Sequence, residues 1–308
     1  MSFERARFEL FNLARIAFRS AQYLFKKINP NYFPIGGGLN TGGGGTNRAE
    51  YCKNVWGTHI GAFNMFAAPK IPRRIAEFGP GNSIGTGLCA LLCGADEYYA
   101  FDAFYYGNIA ENITVLEELI KLYDNENFDQ IKRREREREE RADRLEKIKM
   151  VLNGEKGETI KIDYIATWEN YAAPLPKVDF VFSQAVLEHI DNLENFYETQ
   201  ARILDRGGFC SHQIDFRSHG ETFEWNGHYA ISEKKWRRIR YVRPYSINRE
   251  PLSTHVNLLK KSGFEIVYLR KTEGGKNAIK RDRLALKFRN LSDEDFMTSS
   301  ALIVAKKL

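Results

Sequence analysis

The spacing of apolar positions predicts strands and helices that alternate from about residue 48 onward. Ahead of them, residues 3–28 form an amphipathic helix pattern. Leu10, Leu13, Ala17, Ala21, Leu24, Phe25 and Ile28 lie on one arc, and Arg15, Arg19 and Lys26 on the other. Phe8, Ile16 and Tyr23 interrupt the polar arc, which favours docking on the same chain over lying at a membrane surface. The glycine-rich stretch 29–47 reads as a loop, followed by a helix over 48–66 that carries Tyr51, Trp56 and His59. Those three side chains either pack on a sheet edge or cover a ligand.

Ile75, Ala76 and Phe78 then form a short apolar strand, Gly79-Pro80-Gly81 a turn, and Ile84, Leu88, Leu91 and Leu92 one face of a helix whose N-cap is Asn82 or Ser83. Further strands are predicted over 97–101, 159–166, 178–184, 209–216, 265–271 and 301–306, and further helices over 104–124, 132–149, 193–204 and 251–262. Stretch 178–184 is apolar enough for a central parallel strand buried on both faces. A Gly207-Gly208 turn precedes the strand after it. The helix over 132–149 is so mixed in charge that exposure with intrahelical ion pairs is its simplest reading. The order is that of an α/β fold.

Composition narrows the class. No run approaches the 18 or so apolar residues of a membrane span, and no secretory leader pattern opens the chain, so a cytoplasmic protein is expected. Cys52, Cys89, Cys93 and Cys210 include no C-x-x-C pair. The net charge of +6 is unevenly spread: residues 230–290 hold 17 Lys and Arg against 5 Asp and Glu. That region suits an anionic partner or is simply a solvated basic face. Five of the six histidines, His189, His212, His219, His228 and His255, fall late in the chain without the spacing of a helical zinc motif, and no metal is expected.

The chemistry concentrates in residues 73–102. A strand, a glycine turn, a helix, a second strand and a terminal acid, Asp102, make the kit that holds an adenosine-containing cofactor, the acid accepting from ribose hydroxyls. A dinucleotide site would have a third glycine where Ile84 stands, and Glu77 is a poor neighbour for a pyrophosphate and a good one for an ammonium. With its E-x-G-P-G-x-S turn the chain resembles the class I S-adenosylmethionine-dependent methyltransferases. The stretch VDFVFSQAVLEHIDN is similar to the fourth-strand region of their type 11 group.

The resemblance covers about residues 48–308. It implies a Rossmann-like, seven-stranded, mostly parallel sheet with helices on both faces and an antiparallel last strand, after N-terminal helices and with insertions. Residues 1–47 then stand apart from a methyltransferase domain over 48–308. That domain carries a charged helical insertion at 125–153 and an acceptor-pocket insertion at 217–250. It implies S-adenosyl-L-methionine as cofactor, with Glu77, Gly79, Pro80, Gly81 and Ser83 around the methionyl part, Asp102 and Ala103 at the ribose, and Ser183 and Gln184 beside it.

Two polar residues on the following strand carry the expected catalysis: His212 as general base, with Asp215 orienting it or serving as the base itself. Glu188 and His189 are read mainly as residues that orient their loop. His228, Arg249 and His255 are candidates for binding the acceptor. Segments SHQIDFRSHG, WNGH and INREP resemble a subgroup met in bacterial surface-polysaccharide or lipid-linked sugar modification. O-methylation of a small or sugar-containing (glycan) acceptor is the favoured reading, an anionic one being what the basic region suits. An RNA methyltransferase and a non-catalytic cofactor-binding scaffold, peripheral to a membrane through residues 1–28, are the rivals; nucleic acid is disfavoured because the charged helix is not purely basic.

Overall fold

The computed structural model describes residues 4–8, 10–11, 14, 45–67, 70–105, 109–124, 136–171, 174–242 and 246–308. Its strands are β1 (Arg74–Phe78), β2 (Glu97–Asp102), β3 (Lys161–Ala166), β4 (Val178–Gln184), β5 (Leu204–Asp215), β6 (Phe264–Glu273) and β7 (Thr298–Lys307). They form one sheet in the order β3-β2-β1-β4-β5-β7-β6. Strands β1 to β5 pair in parallel, and β7 runs antiparallel to both β5 and β6. The expected fold class is the one adopted.

Alternation along the strands builds a core on each face. Ile75, Tyr98, Ala100, Phe180 and Phe182 point to one side, against α1 (Ala49–Asn64), α2 (Gly85–Cys93), α3 (Ile109–Asp124) and α4 (Arg136–Leu152). Ala76, Phe78, Phe101, Val181, Cys210 and Ile214 point to the other, against α5 (Leu193–Ile203) and α7 (Leu252–Lys261). Because parallel strands are covered on both faces, they read in sequence as nearly continuous apolar runs. At the N-terminal edge, Arg74 fixes the central strands by binding Asp179 Oδ1 and Asp205 Oδ2, each at 2.7 Å. The opposite edge is left to carry a site.

Several boundaries differ from expectation. The Gly207-Gly208 turn lies inside β5, where Val178 pairs with Leu204 and Phe180 already with Phe209, so the intervening residues bulge out. Gly207 takes the left-handed conformation there, with φ of 77°. The insertion after β5 contains two elements not anticipated, a 3-10 turn (Gly227–Ala230) and α6 (Glu233–Val242), which buries Trp236 and Ile239 on Ile231 and Ile247. A short α8 (Asp293–Met297), capped by Ser292, leads into β7. The charged helix is described from Arg136, so the start of the 125–153 insertion lies outside the described residues, as do most of residues 1–28 and the glycine-rich loop. What is described at the N-terminus touches the domain: Arg5 pairs with Glu224 at 2.9 Å, and the Phe8 ring lies 5.7 Å from that of Phe223. No helix among the described residues is long and apolar enough to cross a membrane.

Helix α2 approaches the sheet closely through its glycines. A Cβ on Gly87 would stand 2.2 Å from the Tyr98 ring. Overpacking of this kind destabilises by about 1–3 kcal/mol. Gly87→Ala is therefore expected to lower the urea midpoint of the folded chain by a corresponding amount, and an unchanged midpoint would show that α2 is free to shift away from β2.

Candidate functional site

The chain leaves β1 toward β2 and β3 on one side, and leaves β4 toward β5 on the other. The crevice beyond the carboxyl ends of β1 and β4 is the topological switch point, where open α/β sheets bind ligands. Backbone strain gathers at this edge. Thr167 after β3, Ala185 after β4 and His219 after β5 have φ of 50°, 52° and 49°, a region unfavourable to side chains.

The turn after β1 is built for close approach. Gly79 and Gly81 have φ of 72° and 76°, and a Cβ on Gly79 would meet Val186 Cγ2 at 2.3 Å. Beneath the turn, Glu77 is 2% exposed and accepts a hydrogen bond from the Tyr98 hydroxyl at 2.5 Å. Burial pushes its carboxyl up to about 8, against hydrogen bonds from Tyr98 and Thr86 that favour the charged form. Asp102, at the end of β2, accepts from the Ala103 amide at 2.7 Å and also from the amides of Phe104 and Gly81. Burial nevertheless raises it to about 6. A buried, uncompensated carboxyl below a glycine turn, with a second carboxyl at the next strand end, is a fit for a ligand bearing an ammonium and a diol.

A second polar group lies at the ends of β4 and β5. Asp215 accepts two hydrogen bonds from Arg217 Nε, at 2.9 and 3.0 Å, and lies 3.3 Å from His219 Nε2. Burial alone would raise this carboxyl, but its hydrogen bonds with His219 and Arg217 outweigh burial and hold it well below the usual carboxylate range. Glu188 is 2% exposed, and neither of its carboxylate oxygens has a side-chain hydrogen-bond partner, the backbone amides of Glu188 and Asp215 being the donors nearby. Burial, and after it the nearby charge of Asp215, raises its carboxyl far above the ordinary value. His189 and His219 face each other with ring centroids 5.1 Å apart. Tyr51 of α1, half-buried, is within electrostatic reach of both Glu77 and Glu188.

The expected site residues thus divide. Glu77, Gly79, Pro80, Gly81, Asp102 and Ala103 meet at the crevice beyond β1 and β2. Ser83 is buried and turned toward the segment before α1, its hydroxyl donating to the Thr46 carbonyl. Gln184 follows at the end of β4, with its side chain near His59. Ser183 is fully buried, its hydroxyl 2.8 Å from His212 Nδ1, and His212 Nε2 lies 2.6 Å from Gln200 Oε1. His212 is therefore a core residue with both ring nitrogens occupied, and the expectation that it acts as general base is corrected.

The acceptor candidates separate in the same way. Arg249 does not face an acceptor: its guanidinium binds the His228 and Ile231 carbonyls at 3.2 and 2.7 Å, pairs with Glu233, and lies over the Trp236 ring. His255 is buried, 3.0 Å from the Tyr197 hydroxyl and beside Phe216. His228 is buried too, but lies within electrostatic reach of His219 and Asp215. Trp56 and His59 are core residues, leaving Tyr51 alone of that trio at the crevice. What the residue pattern did not single out is His219, together with its Asp215 contact; the only signal was its position in the S-H-G segment just past a strand end.

No protein-family model matches the chain, and no curated protein matches it. Among solved structures it is similar to an S-adenosylmethionine-dependent methyltransferase from Mesorhizobium loti, with 12% identity over 85% of this chain and 100% of that one, at a TM-score of 0.43. It is also similar to phosphoethanolamine N-methyltransferase 2 of Haemonchus contortus, with 14% identity over 94% of this chain and 57% of that one, at a TM-score of 0.42.

Buried titratable groups give the fold a characteristic pH dependence. Desolvation pulls His59 down to about 4 and His212, His228 and His255 to about 3. In the unfolded chain these titrate near pH 6.5, so below that value the unfolded state takes up more protons and stability falls, by about 1.4 kcal/mol per pH unit for each fully engaged histidine. Glu77 and Glu188 act in the opposite sense, because burial keeps them protonated in the fold while the unfolded chain releases those protons. Stability conferred by that protonation declines as pH rises from about 4.3 toward 8. The ligand-free chain is expected to be most stable at about pH 6.5 and to weaken on both sides, most steeply below about pH 4.5, where the two glutamates no longer offset the histidines and Asp215, held low in the fold, acts in the same sense as the histidines. Urea midpoints measured from pH 4 to 8.5 check this, and a stability that climbs steadily to pH 8 would contradict it.

Proposed function

We propose that the chain is an S-adenosylmethionine-dependent methyltransferase acting on a hydroxyl of a small or sugar-containing anionic acceptor. The observation that carries this reading is the convergence of Glu77, the Gly79-Pro80-Gly81 turn and Asp102 on one crevice at the switch point. The cofactor supplies a methyl group activated on a sulfonium. In this reading Asp102 receives the ribose hydroxyls, the turn admits the ligand without side-chain obstruction, and Glu77 compensates the methionyl ammonium.

The acceptor side rests on the second group. Attack by a hydroxyl requires loss of its proton, and a positioned acid-base group contributes typically about 10²- to 10⁴-fold. That task falls to the polar cluster of Glu188, His189, Asp215 and His219, since His212 is enclosed in the core. Alignment of the hydroxyl with the methyl contributes more, on the order of 7–11 kcal/mol. The insertion over this edge exposes Lys234, Lys235, Arg237 and Arg238 on α6, which favours an anionic acceptor. A polynucleotide acceptor is the second reading supported by that face. It would show binding that falls steeply with salt, which a small acceptor would not match.

Asp102→Ala is expected to weaken S-adenosylmethionine binding by more than about tenfold, equivalent to about 1.4 kcal/mol; wild-type affinity by calorimetry would place the ribose elsewhere. A further expectation concerns protons. Because Glu77 is held protonated up to about 8, pairing with the ammonium must expel its proton. Affinity should therefore rise from pH 6 to about 8, until the ligand's own amino group begins to lose its charge. Calorimetry in buffers of different ionisation enthalpy should register proton release near neutrality in the wild type and none in Glu77→Gln. Equal proton counts for the two proteins would separate Glu77 from the ammonium.

A further inference from the structure

Glu188, His189 and His219 present one donor atom each, and these atoms all lie within 4.8 Å of one another. The carboxylate is the informative member. It is 2% exposed and has no side-chain partner at either oxygen, only the backbone amides of Glu188 and Asp215 nearby, an arrangement that is costly for the charged form unless a cation compensates it. The scaffold holds the group in place from two sides. Glu188 and His189 belong to a 3-10 turn (Leu187–His189), and Asn248 of the insertion clamps it. The Asn248 side-chain amide donates to the carbonyls of Leu187 at 2.7 Å and Ile190 at 2.8 Å, and its backbone N–H donates to the Glu188 carbonyl at 2.6 Å. His219 comes from beyond β5 on a left-handed backbone, with Asp215 Oδ2 3.3 Å from its Nε2. A carboxylate behind an imidazole is the usual support for a metal-ligating histidine, fixing ring orientation and tautomer.

We propose that Glu188, His189 and His219 bind a divalent transition-metal ion at the carboxyl ends of β4 and β5. Two imidazoles and one carboxylate suit Mn²⁺, Fe²⁺, Co²⁺, Ni²⁺ or Zn²⁺ rather than Mg²⁺ or Ca²⁺, which favour oxygen donors. Donors sharing such an ion at roughly 2.0–2.2 Å lie no more than about 4.4 Å apart, within reach of small side-chain rotations from the present spread. Three protein ligands leave coordination positions open. On the methyl-transfer reading, to which this extension alone is tied, those positions take the acceptor: a pair of neighbouring oxygens, such as a vicinal diol, would bind the ion and one hydroxyl would become more acidic there, its proton passing to solvent because the three ligands then no longer act as the base. The absence of a helical zinc spacing in the sequence is no obstacle, because the ligands come from two loops brought together by adjacent strands.

The test uses full-length protein freed of metal with a chelator, titrated with Mn²⁺ by calorimetry and with Co²⁺ by visible absorption. The expected result is one ion per chain, with Co²⁺ bands indicating nitrogen ligation. His219→Ala, His189→Ala and Glu188→Gln should each weaken binding by roughly 10- to 100-fold. Circular dichroism identifies any variant that does not fold, and the remaining variants decide the matter. Absence of saturable binding to wild-type protein, or equal affinity in the folded variants, would overturn the proposal. S-adenosylmethionine affinity is measured in the same samples. Metal binding without cofactor binding would sink the methyl-transfer reading and leave the ion site standing; cofactor binding without metal binding would do the reverse.

Discussion

The hydrogen bond from Tyr98 to Glu77 is the contact on which the crevice depends. It joins the side chains of two central strands on the face covered by α1 and α2, directly beneath the turn that follows β1. A buried carboxyl whose side-chain donors are only the neutral hydroxyls of Tyr98 and Thr86 is not a stabilising element in itself. Its surroundings have adapted to it: Gly87 leaves the Tyr98 ring room to lie flat under α2, and Gly79 leaves Val186 room beside the turn. Larger residues at either place would move the carboxyl or close the crevice. The geometry of this half of the site therefore comes from the absence of side chains as much as from their presence.

The other buried polar groups serve a different purpose. His59 Nδ1 lies 2.7 Å from the Ser211 hydroxyl, and His212 and His255 make comparable contacts with Ser183, Gln200 and Tyr197. Each links a helix to the sheet or to another helix with a neutral, directional contact inside an otherwise apolar layer. Such contacts fix orientation where apolar packing alone would tolerate sliding. They also explain why a histidine on a central strand is a poor guide to chemistry: on β5, His212 and Ser211 point to opposite faces, and both faces are interior.

How far the sequence could be read follows from the range of the interactions involved. The positions of the strands along the chain and the turn after β1 were legible, because apolar periodicity and glycine spacing are local properties; the arrangement of the strands in the sheet was an expectation only through the family resemblance. Asp102 was legible for the same reason, since a strand end at a fixed distance from a glycine turn needs no knowledge of the rest. The roles of His212, Arg249 and His255 were not. Their partners lie 12 to 58 residues away along the chain, and nothing at the positions themselves tells a satisfied interior histidine from an active one. The α6 helix was hidden by its composition: apart from Trp236 and Ile239, its charged face dominates the pattern.

His219 shows the same limit from the functional side. It is 30 residues beyond His189, and the two meet only because β4 and β5 are parallel neighbours that end at one edge. That edge places two carboxylates close together with unequal compensation. Asp215 is engaged by Arg217 and His219, whereas Glu188, enclosed by the turn that Asn248 clamps, has no side-chain donor of its own. Arg217 is committed to Asp215 through its backbone amide and its guanidinium, so Glu188 lacks a compensating cation and burial holds it in its protonated, uncharged form. The two halves of the site thus select by different means. Around β1 and β2, backbone shape admits a ligand; around β4 and β5, a buried carboxyl without a compensating cation favours a positive ligand that displaces its proton.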